Sequence, residues 1–269
     1  MQKSPYIFKD VQDQREYERL QKIEELFDPR TQTLLKRIGL RQDMSFLELG
    51  PGAGGLLGWV VEAVGSTGKI TAIDRDTRYI DKLKHPNLQI INSDLTEIKL
   101  GDEQYDFIHG RYILMHIQDF QDVLQKIMAA LKPGGWILLE EADFKVAHIE
   151  TSSADRKRAF TATSQAINRL FSSKNIDHAF GKHLREIIVG CGFANIQEET
   201  YAPLEQGGTG TAEIMRLSAL QLRDQYLKTG AVSDSDLREY VELASDPDQM
   251  AVYYATVSVW AQKKIMFHA

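Results

Sequence analysis

Apolar positions between residues 12 and 39 recur at helical spacing. Leu20, Ile23, Leu26 and Phe27 form one stripe, and Asp28-Pro29 interrupts it, which predicts two N-terminal helices. From residue 45 the period changes. A short apolar run at 45–49 reads as a strand, a glycine-spaced turn follows, and helical spacing resumes over about 55–64. Gly65-Ser66-Thr67-Gly68 then leads into a strand at 69–73, and a short helix near 77–84 ends at His85-Pro86. Strands at 88–92 and 105–110, a helix at about 119–131, and a strand at 136–141 after Pro133-Gly134-Gly135 continue the rhythm. Strands alternating with helices predict an α/β, doubly wound fold whose ligands sit at the strand C-terminal ends.

The second half departs from that alternation. Residues 151–173 form a long helical pattern that does not lead directly to a strand. A helix over 182–190 ends at Gly190-Cys191-Gly192-Phe193, and 195–204 reads as a sixth strand. After Gly207-Gly208-Thr209-Gly210 come helices near 211–229 and 234–245, and 250–261 alternates into a final strand. Residues 1–40 thus precede a domain over 41–269 that carries helical insertions at about 145–180 and 207–247.

Composition narrows the function classes. A chain of 269 residues accommodates one large domain, or one domain with a cap. No apolar run reaches the roughly 18 residues of a membrane span. Residues 1–20 lack the apolar core of a signal peptide, and Cys191 is the single cysteine, so a cytoplasmic address without disulfides is expected. A net charge of −6 opposes a broad nucleic-acid surface, and Arg156-Lys157-Arg158 reads as a solvated helix face. The histidines are scattered, His178 and His183 lack a ligand set, and no metal site is expected. No G-x-S-x-G elbow supports a serine hydrolase.

Residues 46–54, Phe-Leu-Glu-Leu-Gly-Pro-Gly-Ala-Gly, carry the main chemical signal. Glycine lets a backbone approach a nucleotide closely, where a Cβ would collide or forbid the turn. Gly50, Gly52 and Gly55 also satisfy the G-x-G-x-x-G spacing of NAD-binding folds, so the turn alone is ambiguous. Three acidic strand ends shift the balance: Glu48 before the turn, Asp74 after the second strand, and Asp94 in Asn92-Ser93-Asp94-Leu95 after the third. They suit a ligand bearing an amine, a ribose diol and an adenine amine but no pyrophosphate. S-adenosylmethionine (SAM) is such a ligand.

These residues, with Thr71-Ala72-Ile73-Asp74-Arg75, Tyr105-Asp106-Phe107-Ile108-His109-Gly110-Arg111 and Leu131-Lys132-Pro133-Gly134-Gly135, make residues 40–145 similar to class I SAM-dependent methyltransferases of small-molecule type. The resemblance implies a seven-stranded, mostly parallel sheet with the last strand antiparallel beside the fifth, and insertions lying over the active site as a cap. It implies that Gly50, Pro51, Gly52 and Gly54 form the cofactor turn and that Glu48 orients the methionine ammonium. Asp74 would accept both ribose hydroxyls, or cap a helix. Arg75 would lie along adenine, or be solvated. Asp94 would take the adenine amine and Leu95 a ring nitrogen, or Asp94 would cap the next turn. Gly110 and Arg111 would face the donor sulfur, with Arg111 pairing to Glu48 or holding a substrate or cofactor carboxylate. Tyr6, with Arg19 and Gln21, would fold over the cofactor, or Tyr6 would simply pack. His116 is the candidate general base, with a structural role as its competitor, and Glu140, Glu141 and Asp143 are expected to point toward the same opening. His109-Gly110-Arg111-Tyr112 in place of Asn/Asp-Pro-Pro-Tyr argues against methylation of an exocyclic base amine.

The implied function is methyl transfer from SAM to O, N or C of a small organic substrate, leaving S-adenosylhomocysteine. Phe160, Phe171, Phe180, Tyr201, Tyr226 and Tyr240 suggest an apolar or aromatic acceptor, or else form the cap's own core. The rivals are a SAM-binding protein that transfers no methyl group and an NAD(P)-dependent oxidoreductase. Neither nucleic acid nor membrane is an expected partner, and a homodimer is left open.

Overall fold

A computed structural model describes residues 7–8 and 13–265. Its strands in chain order are β1 (Ser45–Leu49), β2 (Lys69–Asp74), β3 (Leu88–Asn92), β4 (Tyr105–Arg111) and β5 (Leu131–Asp143). They continue as β6 (His148–Glu150), β7 (Ala194–Tyr201), β8 (Glu205–Gln206), β9 (Met250–Val252) and β10 (Ala255–Gln262). The helices are α1 (Asp13–Ile38), α2 (Gly55–Val64), α3 (Phe120–Ala130) and α4 (Ala154–Ser173). After them come α5 (Phe180–Gly190), α6 (Gly210–Gln221), α7 (Arg223–Lys228) and α8 (Asp234–Leu243).

Seven strands form one sheet in the order β3-β2-β1-β4-β5-β10-β7, mostly parallel with the last strand antiparallel. This is the α/β methyltransferase fold that the motifs imply. The chain divides into two compact units. One comprises residues 27–141, 181–199 and 257 onward. Its core gathers Leu35, Phe46, Leu57, Val60, Ile70, Phe107 and Leu138. Phe46 and Phe107, register partners on β1 and β4, stack with centroids 5.8 Å apart. Burying such side chains contributes about 1.5–3 kcal/mol each, which is why the apolar strand runs dominate the pattern.

The other unit comprises residues up to 26, 142–180 and 200–256. It contains a small sheet, β6-β9-β8, with antiparallel pairing. Its interior is aromatic: Phe160 lies 5.8 Å from Tyr240 and 5.6 Å from Tyr253, and Phe144 lies 5.3 Å from Phe171. Arg156 pairs with Asp246 at 2.7 Å and Arg158 with Asp236 at 3.0 Å, so two members of the basic cluster meet acids, while Lys157 and Arg158 stay exposed as a solvated face would be.

Several element boundaries differ from the sequence reading. α1 is one helix with Pro29 inside it, where two helices were expected. Pro29 and Glu25 are both exposed, so the carbonyl that loses its proline-blocked donor faces water and the helix continues. Residues 78–82 form only turns where a short helix was expected. β5 begins at Leu131, so Pro133-Gly134-Gly135 lies inside the strand. The β4–β5 register shifts there, between Tyr105 and Phe107. A Cβ on Gly135 would sit 3.0 Å from the Lys132 carbonyl and 3.1 Å from that of Asp106, which explains the glycine. The expected final strand is two: β9 joins the small sheet and β10 the large one, separated at Tyr253-Tyr254. The expected helix over 211–229 divides at Leu222 into α6 and α7.

Candidate active site

The β1–α2 turn holds Gly50, Gly52 and Gly54 at φ of 64°, 63° and 93°. L residues rarely adopt that region, so the turn demands glycine on backbone grounds. Packing adds a second reason. A Cβ on Gly50 would come within 2.8 Å of Ile113 Cδ1, and one on Gly54 within 2.8 Å of Ile80 and Leu83. What these glycines must avoid within the described residues is therefore the protein itself.

Parallel register sets the acidic strand ends side by side: Glu48 is the last residue but one of β1, and Asp74 closes β2. Asp74 Oδ1 accepts the Asp76 N–H at 2.9 Å, and burial pushes its carboxyl up to about 6. No helix follows it, so helix capping does not account for Asp74. Asp94 Oδ1 accepts both the N–H and the hydroxyl of Thr96 at 2.8 Å, the turn-capping role weighed above, while Oδ2 lies 3.5 Å from Arg75. Burial opposes its charge, but the Thr96 and Arg75 donors outweigh it and hold the carboxyl below the usual range. Leu95 is buried, and Lys126 Nζ donates to the carbonyls of Leu95 and Thr96 at 3.3 and 2.6 Å, pinning this loop to α3.

Side chains alternate between the two faces of a strand, so Glu48, its register partner His109, and Arg111 with its partner Glu140 share one face. There they form a buried network. His109 Nδ1 lies 2.9 and 2.8 Å from the two Glu48 oxygens, and Nε2 lies 3.1 Å from Glu140 Oε2. Glu140 also accepts from Thr31 at 2.5 Å and from Ser258 at 2.8 Å. Arg111 donates to Asp28 at 2.6 Å and to Thr31 at 3.0 Å. The direct carboxylate partner of Arg111 is thus Asp28, on α1, and its direct partner is not Glu48.

The electrostatics follow from that packing. Burial disfavours a charged His109, yet the two carboxylates more than offset it and raise the imidazole to about 9. Burial likewise opposes the Glu140 charge, but His109, Arg111 and Thr31 bring its carboxyl down to about 2. Glu48 is raised by burial, with His109 acting against the rise.

The opposite strand face carries Gly110 and Glu141. A Cβ on Gly110 would lie 3.0 Å from Ile113 and 3.3 Å from Leu49, so glycine there lets the next loop fold back. Glu141 Oε1 accepts the N–H groups of Ile113 at 3.1 Å and Leu114 at 2.7 Å, while its buried Oε2 has no hydrogen-bond partner among the described residues. Burial pushes its carboxyl up to about 8 despite those donors. It therefore anchors the short 3-10 turn Leu114–His116, in which half-buried His116 sits.

Period two overturns the expectation that Glu140, Glu141 and Asp143 point to one opening. Glu140 and Glu141 face opposite sides, and Asp143 accepts the Lys145 N–H at 2.9 Å. Tyr6 lies outside the described residues. Arg19 binds Glu16 at 2.8 Å and stacks over Phe8, and Gln21 is exposed. The sequence reading missed His109, Asp28, Thr31 and Ser258. The signal was present in part: a carboxylate in an apolar strand requires a partner, and His109 and Arg111 alternate on β4.

A family profile described as a methyltransferase domain matches residues 15–183. Methyltransferase str2 from Strobilurus tenacellus is 28% identical over 186 residues, covering 68% of this chain and 64% of that protein. The chain spans less than two thirds of the length of such curated relatives. A phosphoethanolamine N-methyltransferase from Haemonchus contortus, solved with phosphomonomethylethanolamine and S-adenosylhomocysteine, superposes with a TM-score of 0.60 at 19% identity, covering 96% of this chain and 60% of that one. The [4+2]-cyclase SpnF superposes with a TM-score of 0.58 at 16% identity, covering 89% and 82%. At these identities the structural likenesses establish the fold.

Proposed function

The chain belongs to the methyltransferase-domain family, whose cofactor is SAM, and from that premise we propose that it transfers a methyl group from SAM to O, N or C of a small organic molecule. One observation carries the reading. Three neighbouring parallel strands end at or close to a carboxylate, Glu48, Asp74 and Asp94, and the turn after the first of them holds three positive-φ glycines.

The donor set fits the cofactor. An ammonium group, two ribose hydroxyls and an adenine amine are all hydrogen-bond donors, and the strand tips present acceptors. Glu48 meets one ring nitrogen of His109, and a carboxylate has about four lone-pair sites, so acceptor capacity remains for an ammonium. An acidic residue two positions before the turn repels a pyrophosphate, which disfavours NAD.

When bound, SAM supplies a methyl group on a positively charged sulfur that loses its charge as the methyl leaves. The chain's own part is to bind and align: Glu48 for the amino-acid end, Asp74 for the ribose, Asp94 and the Leu95 backbone for the base. Alignment of reacting groups is worth up to about 7–11 kcal/mol in favourable cases. His116 is the residue we assign to accept a proton from the substrate, since imidazole titrates near working pH. The rings Phe160, Phe171, Phe180, Tyr226 and Tyr240 are buried in their own unit's core, so they supply no argument for an aromatic acceptor.

The likeness to a cyclase favours one second reading, chemistry other than methyl transfer on the same fold. A thermal-shift comparison of SAM, S-adenosylhomocysteine and NAD tests the cofactor. Stabilisation of about 4 kcal/mol is expected from either adenosyl compound at 1,000 times its Kd. Stabilisation by NAD alone would reject the proposal. Bound cofactor that survives every acceptor screen would favour the second reading.

A further inference from the structure

We propose that His109 is a positioning residue for the donor's amino-acid end, holding the Glu48 carboxylate in the charged state and orientation that an ammonium requires. This rests on the SAM reading above. The two ring nitrogens of His109 face carboxylates on either side, Glu48 at 2.8 and 2.9 Å and Glu140 at 3.1 Å. Only the doubly protonated imidazolium donates at both nitrogens. The Glu140 end is fixed, because Thr31 and Ser258 add a hydroxyl donor to each of its oxygens. Arg111, held by Asp28, contributes a further positive charge beside Glu140.

The Glu48 end differs. Among the described residues its side-chain hydrogen bonds both run to His109, although Glu48 and His109 are 3% and 0% exposed. A carboxylate so deeply buried takes up a proton unless a cation lies beside it. His109 supplies that cation and fixes the carboxylate plane, leaving lone pairs at the tip of β1, two residues before Gly50. Chain order makes the arrangement directional: Thr31 and Ser258 hold Glu140, Glu140 holds His109, and His109 sets Glu48.

A purely structural ion triad would support every part of a bound ligand equally. The test therefore compares S-adenosylhomocysteine with 5′-methylthioadenosine, which has the nucleoside and thioether but lacks the amino-acid end. Calorimetric titration uses the full chain and two variants. In His109→Asn the amide nitrogen falls near the position of Nδ1 and keeps the donor toward Glu48. In His109→Gln it falls near Nε2 and faces Glu140. His109→Gln, which loses both the cation and the donor toward Glu48, is expected to weaken S-adenosylhomocysteine at least tenfold and 5′-methylthioadenosine less than twofold; His109→Asn, which keeps the donor without the charge, is expected to weaken S-adenosylhomocysteine by a smaller factor. Equal weakening of both ligands, or no weakening, would overturn the inference while leaving the SAM reading intact. A parent chain that binds neither compound rejects that reading and this inference together. Should the variants fail to fold, nitrogen-15 NMR of the histidine-labelled parent decides. The ring signals of one buried, doubly protonated histidine should move with S-adenosylhomocysteine and stay with 5′-methylthioadenosine, and an equal response to both overturns the inference.

Discussion

At the residue scale, two positions show how a local rule and a tertiary neighbour combine. Gly50 sits at φ 64° with Ile113 Cδ1 in the path of any Cβ. Gly50→Ala should lose roughly 1–2 kcal/mol to the backbone and about 1–3 kcal/mol more to the collision. Ile113→Val deletes the colliding atom, so a double-mutant cycle by urea denaturation should show favourable coupling of about 1 kcal/mol or more. Additive effects would mean the loop simply moves aside. Glu141 offers a pH test. Its folded value of about 8 lies above the ordinary 4.5, so the folded state binds the extra proton between those values. Its stabilising contribution is complete below pH 4.5 and is lost as pH rises through about 8. The stability of the parent relative to Glu141→Gln should accordingly fall between about pH 4.5 and 8, by up to about 1.4 kcal/mol per unit, and level off above that. A flat difference would show that the carboxyl titrates elsewhere.

At the element scale, α1 and β4 explain what the sequence could and could not disclose. The glycine turn, Asp74 and Asp94 were legible because each lies within a short motif whose spacing is its own signal. The Glu48–His109–Glu140 triad was not, since it depends on register between strands some 60 and 30 residues apart along the chain. Asp28 with Pro29 reads as a helix break and Thr31 carries no signal of its own, yet both belong to a continuous helix and bond Arg111 and Glu140. Thr31→Val keeps the shape and removes the hydroxyl shared by those two charged groups. Unfolding free energy should drop by about 1–3 kcal/mol, the range for hydrogen bonds to buried charged partners. A change below about 0.5 kcal/mol, the scatter of neutral substitutions, would mean the bridge contributes nothing.

For the whole molecule, alternating strands and helices gave the sheet its class, while chain order alone could not say which strands are neighbours. β10 lies between β5 and β7, and every residue of it except Gln262 is buried. A chain shortened to end at residue 254 should therefore show no cooperative thermal transition by circular dichroism; a sharp transition would mean the remaining strands suffice. The same placement has a bearing on biosynthesis. A strand this late in the polypeptide fills a slot flanked by much earlier ones, so the nascent chain must wait with two unmated strand edges until translation has delivered residue 262. That interval is when the growing polypeptide most needs shielding from its neighbours on the polysome, and a pause in synthesis just upstream of residue 255 would lengthen the exposure.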